Sequence, residues 1–161
     1  IELNYAPSKL RLGAAYRHFN SDAFTKVANY SNDTNGSDDA NIWSVGAGYK
    51  FDHNWDLFGA FAKNEEADNN NTSHNIQLSY KGTDIANKGT WGAYAAYRYL
   101  GTYTSIFGTE DAQVVGAKGW EIGANYAPFH NVLATAKYFN GKGIDSDRDA
   151  DTLWGRVQFF F

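Results

Sequence analysis

"IWSVGAGYKFDHNWDLFGAFAKN", residues 42–64, decides how the chain folds. Trp43, Val45, Ala47, Tyr49 and Phe51 occupy every second position, with Ser44, Gly46, Gly48 and Lys50 between them. A period of two places alternate side chains on opposite faces of an extended strand, and helical spacing fits the window less well. The pattern stops at His53-Asn54 and then resumes, so the stretch reads as two strands joined by a tight turn. In the second strand Leu57/Phe61 and Phe58/Ala60/Ala62 compete for the apolar face, so its facing stays open.

The same alternation recurs along the chain. Ile76, Leu78 and Tyr80 alternate with Gln77, Ser79 and Lys81; Trp91, Ala93, Ala95, Tyr97 and Tyr99 with Gly92, Tyr94, Ala96 and Arg98. Trp120, Ile122, Ala124 and Tyr126 alternate with Glu121, Gly123 and Asn125, and Leu153, Val157, Phe159 and Phe161 share a face opposite Arg156 and Gln158. Strands are expected over 1–6, 9–19, 41–52, 55–64, 73–82, 90–100, 118–128, 131–140 and 151–161. Full strands of about ten residues match tilted strands that cross a bilayer. Short turns at Pro7-Ser8, His53-Asn54, 83–89 and His130 alternate with long polar loops at 20–40, 65–72, 101–117 and 141–150. Short turns at one end and long loops at the other are the layout of an outer-membrane barrel.

Composition explains how a chain with 17% aromatic residues keeps a mean hydropathy of −0.54: the apolar residues are confined to one face of each strand. No apolar run approaches the ~18 residues of a membrane-spanning helix. The 161 residues suffice for one domain. The absence of cysteine removes disulfide frameworks, thiolate metal sites and cysteine nucleophiles. A net charge of −4 argues against nucleic-acid binding. With no initiator Met and a start already inside an alternating pattern, Ile1 reads as a cut end or the start of a mature fragment.

The two faces differ in kind. Tyr16, Tyr80, Trp91, Tyr99, Trp120, Tyr126, Tyr138 and Phe161 are expected to form aromatic girdles at the lipid interfaces, with small and aliphatic residues between them. A soluble β-protein would instead bury these aromatics as its core. Opposite them project Arg11, Arg17, Lys50, Lys81, Arg98, Lys137 and Arg156, against Glu2 and Glu121. The long loops and their edges hold 13 of the 18 acids, so the wall reads as basic and the rim as acidic. Seven cations in the filled interior of a small barrel would leave buried charges unpaired, at several kcal/mol each. A water-filled lumen removes that cost, so Arg11, Arg17, Lys50, Lys81, Arg98, Glu121, Lys137 and Arg156 are the expected pore-lining residues of a larger barrel. Asp52, Asp56 and Asp84 near the turns are the available partners for some of these bases.

Other motifs carry little chemistry. "DSDRDAD" sets Asp145, Asp147 and Asp149 at alternate positions, a weak metal candidate, because the sixth and twelfth positions of a calcium loop counted from Asp145 are Ala150 and Arg156. His18, His53, His74 and His130 lack ligand spacing. Ser44, Ser73, Ser79 and Ser105 have no evident His/Asp companions, so no enzyme and no cofactor is expected.

The chain ends "LWGRVQFFF", an amphipathic strand with a terminal aromatic that looks like the C-terminal signature of bacterial outer-membrane proteins. "NIWSVGAGYKFDHNWDLFGAFAKN", "NKGTWGAYAAYRYLG", "KGWEIGANYAPFHNVLATAKYFNGK" and "DADTLWGRVQFFF" resemble the C-terminal barrel of the S-layer-homology-domain (OmpM-type) porins of diderm Firmicutes such as the Negativicutes. That resemblance implies an all-β, transmembrane, antiparallel up-and-down β-barrel over 1–161, in the bacterial outer membrane, that passes small hydrophilic solutes passively and assembles as a homotrimer. Expected partners are membrane lipid, lipopolysaccharide and those solutes. The family's periplasmic S-layer-homology domain and its early strands are not among these residues. Two readings compete: a complete eight-stranded barrel serving as membrane anchor or adhesin through its acidic loops, and a soluble β-sandwich binding carbohydrate through Trp and Tyr.

Overall fold

A computed structural model describes residues 1–20, 38–104, 112–113 and 115–161. Alternation is translated into nine strands: β1 (Glu2–Tyr5), β2 (Leu10–Asn20), β3 (Asp39–Lys50), β4 (Trp55–Asn64), β5 (Thr72–Lys81), β6 (Trp91–Leu100), β7 (Ala117–Tyr126), β8 (Val132–Gly143) and β9 (Thr152–Phe159). Each strand pairs antiparallel with its sequence neighbours, giving one nine-stranded up-and-down sheet in the order β1 to β9. The described residues contain no helix. β1 and β9 are the two edges of this sheet.

Strand limits follow the expectation to within a few residues, with two informative exceptions. β8 runs to Gly143, into a segment expected to be loop, because Lys142 and Gly143 pair with Lys118 and Ala117. β3 starts at Asp39, opposite Asn20, inside the expected 20–40 loop. Asp22, Lys26, Asp33, Ser105, Glu110 and Asp111 lie outside the described residues.

Register fixes the faces. Leu57, Leu78, Ala95, Ile122, Tyr138 and Leu153 form one cross-strand row. One position along, Phe58, Gln77, Ala96, Glu121, Phe139 and Thr152 form a row on the opposite face. The ambiguity in β4 is thereby resolved: Leu57 and Phe61 join the aromatic face, and Phe58, Ala60 and Ala62 join the polar one.

Burial runs against the pattern of a one-sided soluble sheet, which covers its apolar side. In β7 Gly119, Glu121 and Gly123 are buried, whereas Trp120, Ile122 and Ala124 are exposed. Glu121 is 0% and Arg98 4% exposed, against 61% for Trp120 and 58% for Ile122. The polar face is covered partly by the connections at one end of the sheet. Tyr103 packs with Ala40 and Ala67 against Phe19 and Ile42, and Ala112 packs with Ala117 and Phe139 against Ala150 and Trp154.

Connections 6–9, 51–54, 82–90 and 127–131 lie at one end, and 21–38, 65–71, 101–116 and 144–151 at the other. The contrast in length rests on 21–38 and 101–116, because 82–90 is longer than a simple turn. That segment is a bonded unit: Thr90 Oγ1 donates to the carbonyls of Asp84 and Asn87, and the Asp84 carboxylate accepts from the Ala86 N–H.

Candidate functional site

The polar face is built on small residues over which larger neighbours lie. A Cβ on Gly123 would meet the Tyr94 ring at 2.4 Å, so only glycine leaves that ring its place against the sheet. Held there, the Tyr94 hydroxyl donates to Glu121 Oε1 at 2.7 Å. Arg98 Nη2 donates to the same oxygen at 3.1 Å and to Gln77 Oε1 at 3.1 Å. Glu121 and Arg98 are thus a buried ion pair, with partners drawn from β5, β6 and β7. Burial makes each charge costly without the other. Glu121 Oε2 has no hydrogen-bond partner among the described residues.

Gly48 does for Arg11 what Gly123 does for Tyr94. Its missing Cβ would lie 2.7 Å from Arg11 Nη2, and the guanidinium crosses that position to reach Asp56 at 2.6 Å. Lys137 Nζ and Arg156 Cζ lie 5.4 and 4.8 Å from the centre of the Trp154 ring. Both are within the range of cation–π attraction. Arg11, Arg17, Lys50, Arg98, Glu121, Lys137 and Arg156 all occupy this face by register. Arg17, Lys50 and Arg156 are exposed on it. A groove of about 340 Å³ opens between Arg11 and Arg17, bordered by Glu2, Asn4 and Phe58.

Two details of the wall depend on the register. The wall is less unpaired than its composition suggests, because Asp56 sits on the polar face opposite Lys50 and takes Arg11, while Glu121 takes Arg98. Lys81 pairs with Gly92 at the end of the polar row, but its φ of 58° ends the extended alternation, and its ammonium lies 4.9 Å from the Trp91 ring and 5.5 Å from the Tyr80 ring. Phe139 and Trp154 on the polar face are residues that sequence reasoning passed over. Their positions, each one step from an aromatic-face residue, held the signal.

On the other face, Tyr16, Tyr80, Trp91, Tyr99, Trp120, Tyr126 and Tyr138 fall in register with the aliphatic rows. Phe161, just past β9, is exposed. The aromatics gather in two bands. Towards the 51–54 turn, Trp55 and Tyr80 stand 4.6 Å apart and Tyr80 and Trp91 5.8 Å. Towards the other end, Trp43 meets Phe61 at 5.4 Å, His74 stacks on Tyr99 at 5.0 Å, and Tyr97 meets Trp120 at 5.3 Å.

The rim is tied by carboxylates and amides. Lys63 Nζ donates to Glu65 Oε2 at 2.8 Å and Trp43 Nε1 to Glu65 Oε1 at 2.6 Å, and these bonds, the lysine's first, hold the Glu65 carboxyl below its ordinary pKa. Asn41 Oδ1 accepts from the Tyr16 hydroxyl at 2.9 Å and lies 2.7 Å from His18 Nδ1, and its amide donates to Glu66. At the opposite end Asp52 Oδ1 accepts from the Trp55 and Asn54 N–H groups, which lower its pKa and close the turn.

The metal candidate does not assemble. Asp145 accepts from Asn70 at 2.7 Å and Asp147 lies 3.9 Å from Lys142. No cluster of three ligating His, Cys, Asp or Glu occurs among the described residues. Of the serines, Ser73 Oγ accepts from the Gly101 N–H and Ser79 Oγ from Gln77.

No family model matches the chain, and no curated protein matches it.

Proposed function

We propose that the chain forms wall of an outer-membrane porin, a passive diffusion channel for small hydrophilic solutes, in which the aromatic face meets lipid and the polar face meets water. The observation that carries this reading is the inverted burial of β7: Trp120 and Ile122 outward and exposed, Glu121 covered. Water penalises that arrangement, at about 25 cal/mol per Å² of apolar surface left exposed, and hydrocarbon removes the penalty. The two aromatic bands support it, as belts at the two membrane surfaces do in known barrels.

In this reading the nine-stranded sheet closes by pairing its edges β1 and β9 with further strands, so the complete barrel is larger than the sheet. Arg17, Lys50 and Arg156 face the lumen and favour anions. The resemblance to S-layer-homology porins belongs to the same proposal, and with it trimeric assembly in the outer membrane. A second reading, a filled barrel acting as anchor or adhesin, is favoured by the burial of Arg98, Glu121 and Phe139. Planar-bilayer recording of the full-length protein separates the two. The porin reading requires stepwise conductance with a reversal potential on the anion side. Replacing Lys50 and Arg156 by Gln moves it towards cations; absence of conductance refutes the channel and leaves the filled barrel.

A further inference from the structure

We propose that the short-turn end of β5 and β6 holds a specific site for the phosphate of an anionic glycerophospholipid, built by Lys81 and Trp91 around a groove that Gly82 and Gly89 keep open, with the Tyr80 ring beside the Lys81 ammonium. This deepens the membrane reading above and rests on it.

Three observations converge. Lys81 adopts a left-handed backbone, φ 58°, which is costly for a residue with a Cβ, and its N–H is fixed to the Asn54 carbonyl at 2.6 Å. Its ammonium is carried over the outward Trp91 and Tyr80 rings, at 4.9 and 5.5 Å, rather than along the polar wall. No acidic group is among the residues lining the groove beside it, which measures about 380 Å³ and is bordered by His53, Asn54, Gly82, Gly89, Thr90 and Trp91.

The glycines make the groove selective in shape. A Cβ on Gly82 or Gly89 would meet nothing within 4 Å, so either side chain would project into open space. Gly89 also needs its φ of 87°, whereas Gly82 has no such backbone requirement. Its lack of a side chain is accounted for by what the groove admits. An exposed ammonium over two aromatic rings, a groove lined by His53, Asn54, Thr90 and Trp91, and an adjoining aromatic band are together the chemistry of a phosphodiester headgroup whose acyl chains run along the aromatic face. A free phosphate would use the cation but gain nothing from Trp55 and Tyr80 beyond it.

The test uses the full-length protein reconstituted in phosphatidylcholine vesicles with and without phosphatidylglycerol. Flotation reads insertion, and native mass spectrometry after detergent extraction reads retained lipid. Wild type is expected to retain phosphatidylglycerol about fivefold over phosphatidylcholine, the contribution of one lysine near a membrane surface. Lys81→Gln removes the preference by deleting the charge and Gly82→Val by filling the groove, with flotation unchanged. Lys88→Gln, whose ammonium lies over Phe129, keeps it. Equal retention of the two lipids by wild type, or a preference that survives both Lys81→Gln and Gly82→Val, overturns the site while leaving the membrane reading intact. Displacement of the lipid by soluble glycerol phosphate reassigns the site to free phosphate esters and overturns the lipid assignment. A protein that fails to float overturns both readings together.

Discussion

Ile122→Arg separates a lipid-facing sheet from a water-facing one. Ile122 is 58% exposed, at the centre of the row that links Ala95 and Tyr138. From Tyr126, which pairs with Trp91 in the aromatic band near the 51–54 turn, to Ile122 is about 13 Å of strand at roughly 3.3 Å per residue. A tilt of about 40° puts Ile122 about 10 Å of depth from Tyr126 and about 5 Å from Trp120 in the other band, inside the apolar zone between the two girdles. An arginine at that depth costs about 2–4 kcal/mol, and one near the interface about 0–1 kcal/mol. In water the same exposed position tolerates charge to within about 0.5 kcal/mol. The assay is urea-titrated folding into phospholipid vesicles, followed by tryptophan fluorescence, comparing Ile122→Arg with Tyr126→Arg. A loss of about 2–4 kcal/mol for the first and clearly less for the second is expected. Equal small losses at both positions refute hydrocarbon contact along β7.

Two further predictions concern the polar face and the turns. Glu121→Leu strands the buried Arg98 guanidinium and is expected to cost about 3–5 kcal/mol in the same titration, while Arg98→Met with Glu121→Leu recovers most of it; additive losses would contradict the pairing. Asp52 and Glu65 both have lowered folded-state pKa values, through the Trp55 and Asn54 N–H groups and through Lys63 and Trp43 respectively. A lowered carboxyl pKa means that the folded protein prefers the ionised form, so its stabilising effect is complete above the ordinary carboxylate range and disappears as pH falls through the folded value. Acid titration of stability in Asp52→Asn and Glu65→Gln is expected to show a shallower fall below about pH 4 than wild type; an identical acid limb would contradict both assignments.

The sheet was legible in the sequence because two-residue periodicity is a local property, and Trp91 to Tyr99 or Trp120 to Tyr126 display it without long-range information. Which residues stand opposite one another was not legible. The Arg11–Asp56 pair joins residues on β2 and β4 across Gly48, and nothing local to either shows that a guanidinium lies over that glycine. Counting charges per face therefore overstated the free cations of the wall. Lys81 is a different case: a left-handed residue at a strand end does not follow the alternation rule, so the direction of its side chain is not legible locally. Phe139 and Trp154 were passed over because an aromatic on a polar face weakens the contrast on which the reading depends, although register then places both unambiguously.

The central claim is that neighbouring side chains of one strand lie in different solvents. The chain contains no cysteine, so single cysteines can carry a spin label without background. Labels at Leu78, Ile122 and Leu153 and at Gln77, Lys137 and Arg156, in the vesicle-reconstituted protein, are compared for collision with oxygen and with a water-soluble nickel chelate. The account predicts oxygen access for the first three and nickel access for the second. Nickel access at Ile122 and Leu78 equal to that at Gln77 and Lys137 would contradict it.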